Sequence, residues 1–363
     1  MIAWYLTGVA VLLAASPRQT NVVEKKFPDG TTRLRTEVIQ NDVGSWIPHG
    51  KRTKFYSNGK PTCEENYANG AKDGPWTEWY ESGVKSAEGI YRDGWKNGRE
   101  VRYFADGKMM LESHFDMGQR DGKLTEWYGE KRKRREASYD QGRKQGEFIE
   151  WFPDGIQQQA VVNFDNGFKE GLETTWYPNA QKKAEVPYTH GIRHGPVEEW
   201  YPDGKEKLHA EFVNGVRHGP AILWFPNGSK QVEGKYVDGF QHGPWLEWYQ
   251  NQTKAADLTY DRGQPDGVQT YWHLNGQKRA EVPFNKGERQ GTWSEWYENG
   301  QLRGSGQFVA GKANGETRYW FKNGAPAAVR GHLHGDRNGV WVDWDEDGKI
   351  ILQERYRNGV RVD

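Results

Sequence analysis

The chain has 363 residues, of which 35% are hydrophobic, and it carries 45 glycines and 18 tryptophans; its 50 lysines and arginines balance its 50 aspartates and glutamates. A formal net charge of zero leaves no long-range field to draw nucleic acid or an anionic membrane, which weighs against a polyanion-binding groove. The single cysteine, Cys63, excludes an intramolecular disulfide framework, so stability has to come from aromatic packing between neighbouring segments.

At the amino end, residues 3–15 (AWYLTGVAVLLAA) form an apolar run that is short for a membrane span and suited to a secretory h-region. The small residues Ala14, Ala15 and Ser16 follow, so the sequence predicts a signal peptide over 1–16 and an exported protein: periplasmic, secreted or envelope-associated. If the run is not a signal, the protein is cytoplasmic. Residues 17–43 are the least regular stretch and read as an N-terminal cap, in which KFPDG at 26–30 is half a hairpin.

From 44 to 363 the chain repeats. Glycines recur every 24 residues, at Gly70, Gly94, Gly118 and Gly142, then after one step of 25 at Gly167, and again every 24 to Gly359. A second glycine follows four residues after each of the first twelve, as at Gly74 and Gly98. Five positions past the second glycine stands a tryptophan column: Trp79, Trp127, Trp151, Trp176, Trp200, Trp224, Trp248, Trp272, Trp296, Trp320 and Trp344, with Tyr103 in the slot of the one exception after Phe55. The next residue is usually aromatic (Tyr80, Tyr201, Tyr249, Tyr297), and a turn such as Pro202 to Gly204 follows.

Beyond the turn, apolar and polar residues alternate with period two, as in a strand with one buried face. Small residues such as Ala87, Ala184 and Ala256 face inward on this reading, carboxylates such as Glu88 and Glu185 face outward, and Cys63 belongs in the core. The fold class is therefore all-β, an elongated single-domain antiparallel β-meander solenoid of 24-residue hairpins. Two strands per unit at about 4.8 Å each predict a rod of roughly 100 Å or more. The extra residue of the odd step falls between Ile156 and Val162, where a β-bulge in the second strand would absorb it.

The unit is similar to the MORN repeat in its bacterial variant, GxxxGxWxxWYxxG, most closely in GIRHGPVEEWYPDG at 191–204, GVRHGPAILWFPNG at 215–228 and GFQHGPWLEWYQNQ at 239–252. Lys131, Ala180 and Gln252 depart from the turn glycine, Trp46 from the first glycine of the earliest full unit, and His332 from the closing aromatic. The resemblance implies a non-enzymatic interaction scaffold, with protein or membrane-proximal partners. Some bacterial members carry an antitoxin label, which would imply a toxin partner instead.

The residues themselves offer little chemistry. His194, His218 and His242 recur in one slot, but two strand spacings, roughly 9 to 10 Å, separate them, which is too far to share a metal ion. The glutamates before the tryptophan (Glu78, Glu126, Glu150, Glu199, Glu247, Glu295) form a ladder of equivalents, whereas a catalytic pair needs unlike environments. They are expected to pair with the basic column at Lys72, Lys96, Arg120, Lys144, Lys169, Arg193, Arg217, Arg289, Arg337 and Arg361. No catalytic residue, metal ligand or cofactor is assigned. The candidate binding stripe is the surplus aromatic row Trp76, Trp245, Trp293 and Trp341 with Tyr80, Tyr249 and Tyr297, placed on the face opposite the tryptophan column. Such rows suit a protein partner or a cell-wall glycan.

Overall fold

A computed structural model describes residues 19–362, so the expected signal segment over 1–16 lies outside the described residues. The described residues are all-β, thirty-eight strands joined as an antiparallel meander of hairpins. They cluster into two compact units, one ending at Gln157 and the other beginning at Gln158.

The repeat at 61–92 shows how each hairpin is made. Strand Pro61–Ala68 turns back through Asn69 and Gly70, both at positive φ (49° and 90°), into the short strand Ala71–Lys72. A two-residue connection with both φ values positive is the turn whose twist matches paired strands, and it is why a glycine recurs at this slot. The Gly70 N–H then donates to the Pro48 carbonyl (2.8 Å) and the Gly94 N–H to the Lys72 carbonyl (2.7 Å), so each first turn is bonded to the unit before it. Strand Gly74–Trp79 follows, and a turn closed by Tyr80 N–H to Val84 O (2.8 Å) leads into Lys85–Arg92.

The register of that second hairpin decides which side is buried. Trp79 pairs with Lys85, but Glu78 pairs with Ala87, so Ser86 is skipped as a bulge. The bulge puts Ala87, Gly89 and Tyr91 on the face of Trp76, and Lys85 and Glu88 on the face of Trp79. The same shift recurs between Glu199 and Trp200, Glu247 and Trp248, and Glu295 and Trp296. Burial mostly follows the Trp76 face: Trp76, Ala87, Leu124, Val197, Ala210, Trp245 and Ala256 are all buried, while Val101, paired with Glu88, is a buried residue of the other face. The inward small residues thus share their face with the Trp76 row, which was expected to form the binding stripe, and not with the Trp79 column. Those tryptophans are half-buried on the other face, apart from Trp151, which is buried.

Two further expectations meet the structure here. Cys63 is buried, in the slot that Ala87 takes one unit later. The odd step, by contrast, is absorbed in a turn. Strand Gln158–Asp165 is as long as its counterpart Lys182–Thr189, whereas the Phe152 N–H reaches the Gln157 carbonyl (2.9 Å), five residues on, where Tyr177 reaches Gln181, four residues on. Ile156 is the additional residue and is exposed: a longer turn accommodates it without lengthening the strand. At the amino end KFPDG is the turn of a complete hairpin, Thr20–Lys26 with Thr32–Gln40.

Candidate interaction surface

The residues expected to form an exposed stripe lie on the core face. Trp76 and Trp245 are each 5% exposed, and Trp293 and Trp341 are half-buried. Trp245 packs with Ala256 and Leu258 and meets Tyr236 edge-on, with ring centroids 5.3 Å apart. Space for these indoles comes from glycines in the neighbouring strands: a Cβ on Gly234 or Gly306 would collide with or crowd Trp245 or Trp293. Glycine inside a strand marks close approach, and that signal was present in the sequence. The tyrosines of the stripe act as clamps: the hydroxyls of Tyr80, Tyr249 and Tyr297 donate to the carbonyls of Tyr103 (2.7 Å), Trp272 (2.9 Å) and Trp320 (3.0 Å), 23 residues on.

Among the described residues, Lys72, Lys96, Lys169 and Arg361 of the basic column pair with Glu65, Glu100, Glu173 and Glu354, none of which precedes a tryptophan of the column. Lys72, Lys169, Arg217 and Arg289 lie over Tyr91, Tyr188, Tyr236 and Phe308, at 4.7, 4.8, 5.3 and 5.1 Å from the ring centroids, so the column caps the closing aromatics of the core face. Its ion pairs go to half-buried or buried carboxylates, Lys72 to Glu65 and Lys169 to Glu173 (2.6 Å). Burial works to raise the Glu65 pKa, but the Lys72 hydrogen bond and the charges of Lys72, Lys54 and Arg52 outweigh it and hold the carboxyl below its usual range. Glu126 and Glu199 pair instead with Arg135 and Lys207, each at 2.7 Å, across the second hairpin. The histidine slot is a turn cap: His194 and His218 accept from the N–H groups of Asn214 and Asp238, both at 3.4 Å.

The exposed face is therefore the one that carries the Trp79 column. Its indoles are shielded by lysines of the preceding unit, Lys182 over Trp200 (5.8 Å) and Lys254 over Trp272 (5.3 Å), which also pair with Glu185 (2.5 Å) and Asp257 (3.0 Å). In the unit beginning at Gln158 two apolar rows accompany it. Phe168, Ile192, Val216 and Phe240 occupy one slot of four successive repeats, all exposed, with Phe168 at 57% and Phe240 at 56%. Each lies over the first glycine of the next repeat, where a Cβ on Gly191, Gly215, Gly239 or Gly263 would stand 3.1 to 3.4 Å away. The second row, Leu172, Pro196, Pro220, Pro244 and Val268, is also exposed. Pairings such as Val213 with Val216 and Pro196 with Glu211 put both rows on the Trp79 side.

The same unit holds an open cleft of about 570 Å³ whose lining includes Tyr271, Trp296, Tyr297, Arg279, Arg303 and Glu295. The guanidinium groups of Arg279 and Arg303 lie 5.4 and 5.8 Å from the ring centroids of Tyr271 and Tyr297. Burial raises the Tyr271 pKa, and the Glu247 carboxylate adds to the rise.

A search of curated proteins finds no match. Among solved structures, similarity is found to the crystal structure of a TcdB2–TccC3–Cdc42 complex, at 10% identity over 91% of this chain and 20% of that one, with a TM-score of 0.17. The Photorhabdus luminescens Tc holotoxin pore is matched at 11% identity, over 91% of this chain and 20% of that one, with a TM-score of 0.17. The chain spans about a fifth of the length of either, and likeness at that TM-score speaks to neither fold nor function. The family described as the MORN repeat variant matches at residues 48–69, 72–93, 265–286, 289–310 and 337–358, in both halves of the hairpin array, and with the glycine turns and tryptophan column in place between those segments the chain is a MORN-variant repeat protein.

Proposed function

We propose that this protein is a non-enzymatic interaction scaffold, exported or envelope-associated, that binds protein or membrane-proximal partners. The observation that carries the reading is the Trp79 face of the unit beginning at Gln158, where exposed apolar side chains recur in register on hairpins tied to their neighbours by backbone bonds such as Gly215 N–H to Arg193 O (2.8 Å). Exposed apolar patches rimmed by polar residues mark interaction surfaces, and repetition extends one over several units. A photo-crosslinking residue placed at Leu172 or Val268 in the producing cell should yield discrete adducts, whereas the same residue at Glu288 should not. Fractionation of cells should place the adducts outside the cytoplasm; adducts that form in the cytoplasm alone would remove the export part of the reading.

Cell-wall glycan binding is a second reading, favoured by the cleft around Tyr271, Trp296 and Tyr297. Flat rings beside guanidinium and carboxylate groups suit a polar sugar ring. Co-sedimentation with purified peptidoglycan should then be lost in Arg279→Ala and Arg303→Ala while the melting curve stays in place; undiminished co-sedimentation would exclude this cleft.

A further inference from the structure

We propose that the Trp79 face between Phe168 and Val268 is where a second copy of this chain packs, related by a twofold axis that runs along the strand Val216–Trp224. The apolar rows stop at the limits of this stretch. Beyond Phe240 the first slot holds Gln264, Glu288, Lys312 and Asp336 before an isolated Val360, and beyond Val268 the second holds Thr292 and Glu316 before an isolated Val340. The patch is thus a bounded feature of five successive repeats.

Its second row is self-matching about the Val216–Trp224 strand, and in the first row Ile192 matches Phe240 while Phe168 falls on Gln264. The second row reads Leu172, Pro196, Pro220, Pro244, Val268, with Pro220 on the axis and apolar residues at equal steps on either side. A twofold rotation lays Leu172 of one copy on Val268 of the other, Pro196 on Pro244, and Val213 on Val237. The charged residues at the level of the second row obey the same symmetry. Glu211 lies one strand to one side, paired with Pro196, and Lys235 one strand to the other, paired with Pro220. Among the described residues neither makes an ion pair, whereas Lys182, His209, Lys230 and Lys254 on this face are each paired to a carboxylate of their own chain. The rotation brings Glu211 of each copy to Lys235 of the other, so these two charges become two intermolecular pairs, the isologous pattern of a closed dimer; Glu206, paired with Trp200 on the same face and without an ion pair among the described residues, comes to the position of Lys230 of the other copy.

The area also fits. Four steps of two strand spacings make about 38 Å from Leu172 to Val268, and some eight residues from the first row to the Trp79 column make about 26 Å, a footprint near 1,000 Å². A stable interface needs about 800 Å² from each partner. Sheets packed face to face at about 10 Å would interdigitate the two apolar rows as a sandwich core does.

Self-association rests on the scaffold reading and makes a second copy of this chain the occupant of that face; it stands or falls on oligomeric state, whereas crosslinked adducts of a mass other than twice the chain would support the scaffold reading without it. Sedimentation equilibrium of the full chain should give twice the 41.8 kDa chain mass at micromolar concentration. Val216→Glu, at an exposed position on the axis, should weaken the dimer at least about tenfold, since it sets like charges against each other in an apolar contact. Lys235→Glu should weaken it as well, and adding Glu211→Lys to that variant should restore it to within about threefold, which a merely structural effect of either change would not do. A monomer at about 100 μM, a dimer indifferent to Val216→Glu, or a charge swap that fails to restore association would each overturn the proposal.

Discussion

Trp76 and Gly89 face each other across a strand pair so closely that a Cβ built on Gly89 would stand 2.8 Å from the indole nitrogen of Trp76. The pair occupies the buried face, so the tryptophan and the absent side chain opposite it are one packing unit. Gly89→Ala should push the indole out of place and cost about 1 to 3 kcal/mol, whereas Gly83→Ala, at an open turn, should act through backbone strain without moving Trp76. Tryptophan emission separates the two: only the first substitution should red-shift it.

Trp245 and Trp248 stand three residues apart on opposite faces. Trp245→Ala removes a side chain that is 5% exposed and should cost about 3 to 5 kcal/mol. Trp248→Ala, from the half-buried column, should cost clearly less. Urea melts of the two variants give the comparison, and equal losses would mean that both faces are core.

The Tyr201 hydroxyl donates to the Trp224 carbonyl at 2.8 Å, tying a turn to the next repeat. Tyr201→Phe should lose about 1 kcal/mol, because one neutral hydrogen bond is removed and Phe225 already fills the next slot without it. Faster amide exchange in the hairpin 206–224 should accompany the loss.

His332 takes the place of a closing aromatic, and burial first, then Arg330 and Arg337, depress its pKa below the ordinary 6.5. Its Nδ1 is buried with no partner. A depressed histidine pKa means that the unfolded chain binds more protons just below pH 6.5, so stability is lost as pH falls through that region. His332→Tyr should abolish this component: the melting-temperature gap between variant and parent should widen from pH 7.5 to pH 5.5. A constant gap would place the histidine in water.

The Cys63 thiol is pushed up to about 11, chiefly by burial and then by the Glu65 carboxylate. A reagent that requires thiolate should therefore react at pH 8 far more slowly than with a free thiol, and at full speed once urea has unfolded the chain. Rapid labelling of the native protein would contradict the burial.

The amino-acid sequence by itself determined the repeat, the hairpins and the family. Those follow from local chemistry: Asn69 and Gly70 can take the paired positive φ values of a two-residue turn, and the Pro–Asp–Gly run at 202–204 closes the other. Which face is buried was decided only in three dimensions. Without the skipped Ser86, Ala87 would share a face with Trp79; with it, Ala87 pairs with Glu78 and joins Trp76. One residue of bulge inverts the parity of a strand, and because nearly every unit carries the same bulge, the period of the sequence is unchanged by it. The odd step shows the converse. A spacing of 25 announces an extra residue, but whether a strand or a turn holds it depends on cost, and Ile156 in a lengthened turn leaves Gln158–Asp165 the same length as its counterpart Lys182–Thr189.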